Sequence, residues 1–198
     1  MNTVKLYGTI KNIHHSHSVN GVDYDKAILL CKREDDKEDI INLTFKNSCN
    51  KHKEGSKIEL LGNLRSFTRN IDGRNKVDIF VSTYFDLPLD NEIIINSVEI
   101  DGRICKLNDV RKINNTKRNI HFILANNIIS VDSNRKFNSY IPCIAWDDLA
   151  DKISQLKVSD KVSLKGQIHS REYKKRLSDD DYEIRICHEL LVTDLEVI

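Results

Sequence analysis

Basic side chains crowd the aromatic ones in the second half of the chain. Arg171, Lys174, Lys175 and Arg176 surround Tyr173, Arg135 and Lys136 precede Tyr140, and Arg111, Lys112, Lys117 and Arg118 fill one further segment. As a set in several loops around flat rings, these cations suit a ligand that carries phosphates. Tyr140 and Trp146 are six residues apart. In a strand that even separation places both on one face. The bland reading of each ring stays open, since small domains also bury tryptophan as packing. Asp179, Asp180 and Asp181 would repel an anion, so a binding track is expected near the base of that segment and not at its tip.

Enzymatic constellations are missing. The chain has no P-loop, no H-E-x-x-H, no G-x-S-x-G and no acid pair at catalytic spacing, and its serines and histidines stand unpaired. A non-enzymatic protein without cofactor or small-molecule substrate is expected. His14-His15-Ser16-His17 reads as a solvated strand-to-strand loop, and no metal site is expected. The five cysteines (Cys31, Cys49, Cys105, Cys143, Cys187) are widely spaced, without C-x-x-C, and read as small core residues of a reducing compartment.

Composition bounds the rest. The 198 residues hold 31 basic and 30 acidic side chains, 39 % hydrophobic and 31 % charged, which excludes a disordered chain and a polycation. No run of about 18 apolar residues occurs, so no membrane span is expected. The N-terminus lacks a charged-then-apolar export pattern, and the cytoplasm is the expected location.

A repeat organises these residues. Asn2–Ile10 aligns with Asn96–Ile104, Ile28–Cys31 with Phe122–Ala125, Ile40–Phe45 with Ile141–Trp146, and Lys57–Leu64 with Lys161–Ile168. The four matches keep their order. Residues 1–87 therefore form one unit, 88–94 a short linker at an apolar break, and 95–198 a second unit that the linker keeps in touch with the first. Each unit reads as five strands. In the second, Leu149, Ile153 and Leu156 fall on one face of a helix between the third and fourth strands, and Asp147 and Asp148 suit its start. The first unit lacks that stripe over Lys46–Glu54, so its helix should be short or absent. This order predicts an all-β chain of two tandem OB-fold Greek-key barrels. Gly8, Gly62, Gly102 and Gly166 fall inside strands, where a small barrel needs bends or bulges.

The second unit resembles the bacterial single-stranded DNA-binding protein family. Asn96-Ser97-Val98-Glu99-Ile100-Asp101-Gly102-Arg103 follows its opening strand, Trp146-Asp147-Asp148-Leu149-Ala150 its aromatic and short helix, and Gly166-Gln167-Ile168-His169-Ser170-Arg171-Glu172-Tyr173 its fourth strand. The resemblance covers about Asn96 to Val192, and the whole is similar to a tandem form with two OB units per chain. It implies that Tyr140, Trp146 and Tyr173 contact single-stranded DNA by stacking. The basic residues bordering them, Arg103, Arg111, Arg118, Arg135, Arg171, Lys174 and Lys175, are expected to meet its phosphates. It also implies four OB units around the strand, hence a homodimer, with the strands of Val4, Leu6 and Tyr7 or of Val98 and Ile100 as natural contacts.

The first unit departs from that pattern. Asp39 aligns with Tyr140 and Arg69 with Tyr173; Phe45 stands opposite Trp146, and Arg65 and Phe67 offer a smaller platform. Five acids in Glu34–Asp39 oppose DNA there. The family's acidic tail with an apolar tip is not matched by the closing Asp194-Leu195-Glu196-Val197-Ile198. The leading expectation is a protein that coats single strands in replication, recombination or repair, mostly through its second unit. The alternative is an OB-fold adaptor whose main ligand is protein, in a primosome, plasmid or phage replication assembly.

Overall fold

A computed structural model describes residues 1–47, 53–71, 73–88, 94–114, 116–129, 136–176 and 181–198. Among the described residues, eleven strands run in the order β1 (Asn2–Val19), β2 (Val22–Lys32), β3 (Glu38–Lys46), β4 (Lys57–Ile71), β5 (Arg74–Pro88), β6 (Asn96–Leu107), β7 (Arg111–Lys112), β8 (Arg118–Ile129), β9 (Lys136–Trp146), β10 (Lys161–Arg176) and β11 (Tyr182–Val197). A helix, α1 (Asp147–Ser154), joins β9 to β10. The chain is all-β, as the repeat predicts.

Each unit closes a barrel by the same pairings. In the first, β1 pairs with β2 and β4, β2 with β3, β4 with β5, and β3 runs parallel to β5. In the second, β6 pairs with β8 and β10, β8 with β9, β10 with β11, and β9 runs parallel to β11. Val4, Leu6, Leu29, Leu43, Leu64 and Val81 fill one interior; Val98, Ile100, Leu124, Ile141, Leu164 and Ile168 fill the other. The fourth-strand glycines sit where they are needed. The register shifts at Leu61/Gly62 and at Lys165/Gly166, and a Cβ at either glycine would lie within 3 Å of a backbone oxygen, of Ser82 or of Leu191.

The strand pairs show where the linear alignment slips. Ile10 opposes Leu29 as Ile104 opposes Leu124, and Leu30 opposes Ile40 as Ala125 opposes Tyr140. The partner of Tyr140 in the repeat is therefore Ile40 and not Asp39; Asp39 corresponds to Ser139, Phe45 to Ala145 and Lys46 to Trp146. Burial agrees: Asp39, Ser139, Phe45 and Ala145 are all buried. Matching apolar runs by type misses this, because one residue of slip turns every side chain to the other face.

Two further expectations change. His14–His17 is not a loop; it continues β1 in an arm paired with β2, with His17 stacked on Tyr24 at 5.0 Å. Pro88, the first residue of the expected linker, still belongs to β5, opposite Ile58. Residues 48–52, where a helix of the first unit would start, and 89–93 of the linker lie outside the described residues.

The barrels are joined edge to edge. β1 pairs antiparallel with β6, Val4 opposite Val98. The two strands expected to pair copies of the chain are thus consumed within it, and Val4, Leu6, Val98 and Ile100 are buried. Equivalent asparagines tie the first strand of each unit to its own fourth strand. Asn2 Nδ2 donates to Leu64 O (2.8 Å) and its Oδ1 accepts from Leu64 N (2.8 Å); Asn96 does the same with Ile168 O (2.8 Å) and Ile168 N (2.9 Å).

Candidate nucleic-acid interface

β9 alternates. Ser139, Ile141, Cys143 and Ala145 are buried, while Tyr140 and Trp146, in the opposite phase, are 42 % and 37 % exposed. Their separation along the strand is about 20 Å. Each ring shares a row with an arginine. Tyr140 pairs with Ala125 and Ala125 with Arg103; Trp146 pairs with Asn119 and Asn119 with Arg111. Paired residues face the same way, so each arginine lies on the outer surface about 10 Å, two strand spacings, from its ring. The strand ends sharply after Trp146. Asp147 adopts φ 49°, and its Oδ1 accepts from Arg118 N at 3.0 Å. A non-glycine residue in this region costs about 1 kcal/mol.

The cations divide into available and committed groups. Arg118 is committed: Nε donates to Asp151 Oδ1 at 2.7 Å, Nη2 reaches Asp151 Oδ2, and Asp148 stands 3.6 Å away. That hydrogen bond raises the Arg118 pKa and lowers that of Asp151. Arg118 therefore serves to fasten α1 to β8. Arg103 Nη1 donates to Ser159 O (2.8 Å) and remains exposed, as does Arg111. Arg135 lies outside the described residues.

The arm of β10 and β11 carries Tyr173, and strand alternation splits its basic cluster. Arg171, Tyr173 and Lys175 face one way; Lys174 and Arg176 face the other. Tyr173 is half-buried opposite Arg185, whose Nε donates to Glu183 Oε2 at 2.7 Å. Arg171 Nε donates to Glu189 Oε1 (3.3 Å), and Glu189 also faces His121 Nδ1 at 3.8 Å.

The first unit does not repeat this surface. Phe45 is buried in the barrel core, in phase with Ala145, so it is not a platform; Lys46 occupies the place of Trp146. Of the acids in Glu34–Asp39, Asp39 is fully buried and Asp35 accepts from Lys37 Nζ at 2.9 Å. Arg65 and Phe67 are in the outer phase of β4, but the aromatic partners around them come from both units.

Two junctions, built from equivalent positions, complete the contact between barrels. At one, the arm of β4 and β5 crosses the start of β9. Tyr140 N donates to Ser66 Oγ (2.7 Å) and Ser66 N to Ser139 Oγ (3.4 Å). The Arg65 guanidinium carbon lies 3.9 Å from the Phe137 ring centroid and 5.6 Å from that of Phe80. Phe67 tilts against Phe80 at 5.8 Å, and Arg69 covers Phe67 at 5.5 Å while held by Asp78. At the other, the arm of β10 and β11 crosses the start of β3. Ile40 N donates to Ser170 Oγ (2.8 Å), Ser170 N to Asp39 Oδ1 (2.6 Å), and His188 Nε2 to Ile40 O (2.7 Å). Arg33 Nε donates to Asp39 Oδ2 (2.7 Å), and its Nη2 reaches Asp39 Oδ1 and Ser170 O (2.9 Å). A groove of about 420 Å³ opens there, lined by Arg33, Lys37, Ile40 and Arg171 among others.

Phe80 and Phe137 escape the sequence reading. A signal exists for Phe137: it is in the inward phase of β9, with Ser139, but precedes the first barrel residue Ile141. Such a side chain has to lie over a neighbour.

Among the described residues no group of His, Cys, Asp and Glu could hold a metal, and no helix is long and apolar enough to cross a membrane.

In fold the chain is similar to the wild-type single-stranded DNA binding protein from Thermus aquaticus, at 17 % identity and TM-score 0.74, covering 100 % of this chain and 93 % of that one. A deletion variant of the same Thermus aquaticus protein gives 18 % identity and TM-score 0.74, covering 100 % of this chain and 94 % of that one. No curated protein is significantly similar to the chain in sequence. The profile of the Single-strand binding protein family matches residues 95–194, the second barrel up to near the end of its last strand and including its aromatic face, and the chain belongs to that family.

Proposed function

We propose that the chain binds single-stranded DNA without strong sequence preference, on the outer face of the second barrel, and coats strands exposed during replication, recombination or repair without catalysing a reaction. The observation that carries this is the exposed pair Tyr140 and Trp146 on one face of β9, each with an arginine in its row. Rings stack on bases of any sequence, and guanidinium groups follow the phosphates. Tyr173, Arg171 and Lys175 extend the track along the arm of β10 and β11. Lys174, on the reverse face, contributes long-range charge only.

The test uses the whole chain, because separating the units would uncover β1 and β6. Trp146 is the only tryptophan, so its fluorescence reports directly on the track. Titration with oligo-dT should quench it, and Trp146→Ala should weaken binding of a labelled oligonucleotide by about tenfold, from ~1–3 kcal/mol per stacked base. Absence of both quenching and binding at low salt would overturn the reading.

A homodimer with four OB units is part of the same proposal. With β1 and β6 already paired, it has to use other surfaces. Light scattering near twice 22.9 kDa supports it, and a mass near 22.9 kDa at micromolar concentration overturns it.

A further inference from the structure

The arm of β10 and β11 ends in an open strand edge. Residues 182–187 of β11 pair with β10 on one side, from Tyr182 opposite Arg176 to Cys187 opposite Arg171. On the other side β11 meets β9 only at Leu190 and Leu191, so among the described residues no strand pairs with the outer edge of 182–187. A free row of N–H and C=O groups pairs readily with another chain, and proteins guard such edges with charge, above all lysine. This edge is apolar on one face instead: Tyr182 is 57 % exposed, Ile184 is 65 % exposed, and Ile186 follows in the same phase. The other face carries Glu183 and Arg185, opposite charges two residues apart. The first unit has the guarded form of the same edge. By the strand pairs, Arg74, Asn75 and Lys76 of β5 hold the places of Glu183, Ile184 and Arg185. Two cations around an amide repel a copy of themselves.

We propose that this edge is where two copies of the chain meet: residues 182–186 of each pair antiparallel about a two-fold axis through Ile184, and the two arms join into one four-stranded sheet. A two-fold axis normal to a sheet lets a residue oppose only residues of its own face, so the axis has to pass through a residue pair. Centred on Glu183 or on Arg185, the pairing sets like charges against each other. Centred on Ile184, it sets Glu183 against Arg185 of the second copy and Tyr182 against Ile186 of the second copy, each twice, with Ile184 against itself. Unlike charges and aromatic–β-branched pairs are favourable across strands, and like charges directly opposite are not. Tyr182-Glu183-Ile184-Arg185-Ile186 is thus complementary to itself in one register. Such a contact uses the same patch on both copies and closes at two.

This inference rests on the homodimer reading and names the surface it uses. The test is light scattering on the whole chain without DNA. The unaltered protein should give a mass near twice 22.9 kDa. Ile184→Lys places two cations at the centre of the pairing, and Glu183→Arg and Arg185→Glu each set like charges opposite. All three positions lie outside both barrel cores, and each variant should fall to a mass near 22.9 kDa. An equimolar mixture of the Glu183→Arg and Arg185→Glu variants should return to twice that mass, because a wholly basic edge then opposes a wholly acidic one. That rescue distinguishes a lost contact from an arm that no longer folds. A dimer that survives any of the three substitutions, or a mixture that stays monomeric, overturns the β11 contact. A monomeric unaltered protein overturns the homodimer reading itself.

Discussion

The two junctions between the barrels occupy equivalent places and are made of opposite materials. Where the first unit's arm crosses the second barrel, the contact is aromatic: Arg65 among Phe80 and Phe137, with neutral Ser139 bonding Ser66. Where the second unit's arm crosses the first barrel, Asp39 takes the place of Ser139, fully buried and held by Arg33 and Ser170 N. Both keep the same backbone-to-serine bond, Tyr140 N to Ser66 and Ile40 N to Ser170. Duplication thus preserved the geometry of the joint while its chemistry diverged. An ion pair with directed hydrogen bonds fixes two bodies together and exposes little to a ligand. Rings left partly bare fix less and can accept a base.

The largest expected effect tests that division of labour. Asp39→Ala removes one partner of a buried ion pair and leaves Arg33 without its carboxylate and Ser170 N without its acceptor. Losing one partner of such a pair costs about 3 kcal/mol or more. Ser139→Ala, its counterpart, loses one long neutral hydrogen bond and should cost about 1 kcal/mol. Urea unfolding of the two variants measures the difference. Equal losses would mean that the ionic junction is no firmer than the aromatic one.

A smaller effect is expected from rebuilding one junction in the image of the other. Ile40 is half-buried at the rim of the ionic groove, at the position equivalent to Tyr140. Ile40→Tyr should tighten binding of a long oligonucleotide several-fold, within the ~1–3 kcal/mol of one stacked base. No gain, with stability retained, would show that the acids nearby (Glu38, Glu172) exclude the strand whatever ring is supplied.

Much of this molecule was legible in its residues because a duplicated barrel repeats its constraints. The strands, the glycines at close approaches, the helix at Asp147 and the exposed phase of Tyr140 and Trp146 all follow from periodicity and local sterics. Phe45 did not, since aligning apolar runs placed it opposite Trp146 when the strand pairs set it opposite Ala145. The basic cluster around Tyr173 misled in a similar way, for a strand shows alternate residues to opposite faces. The junctions were beyond the sequence for a different reason. Arg65 and Phe137 are 72 positions apart and meet only through the β1–β6 pairing, which no local pattern encodes.

The smallest effect separates the junctions by pH. His188 and His169 both belong to the ionic side; no histidine contacts Arg65 at the aromatic side among the described residues. Burial holds each imidazole below its ordinary value. The groups facing His188 are Ile40 O, Asp78, Lys76 and Asp39; those facing His169 are Asp39, Arg33, Glu189 and Asp35, and the acids only partly offset burial. Neutral imidazole is therefore the form the folded state prefers. The stability it brings is complete above the unfolded value of about 6.5, and is lost as pH falls toward the folded value, because the unfolded chain takes up protons first. Melting temperature should fall between pH 7.5 and 5.5. His188→Gln keeps a donor for Ile40 O without a titrating ring, and should flatten that fall. Equal slopes for the two proteins would show that protonation of His188 is not what lowers the stability in acid.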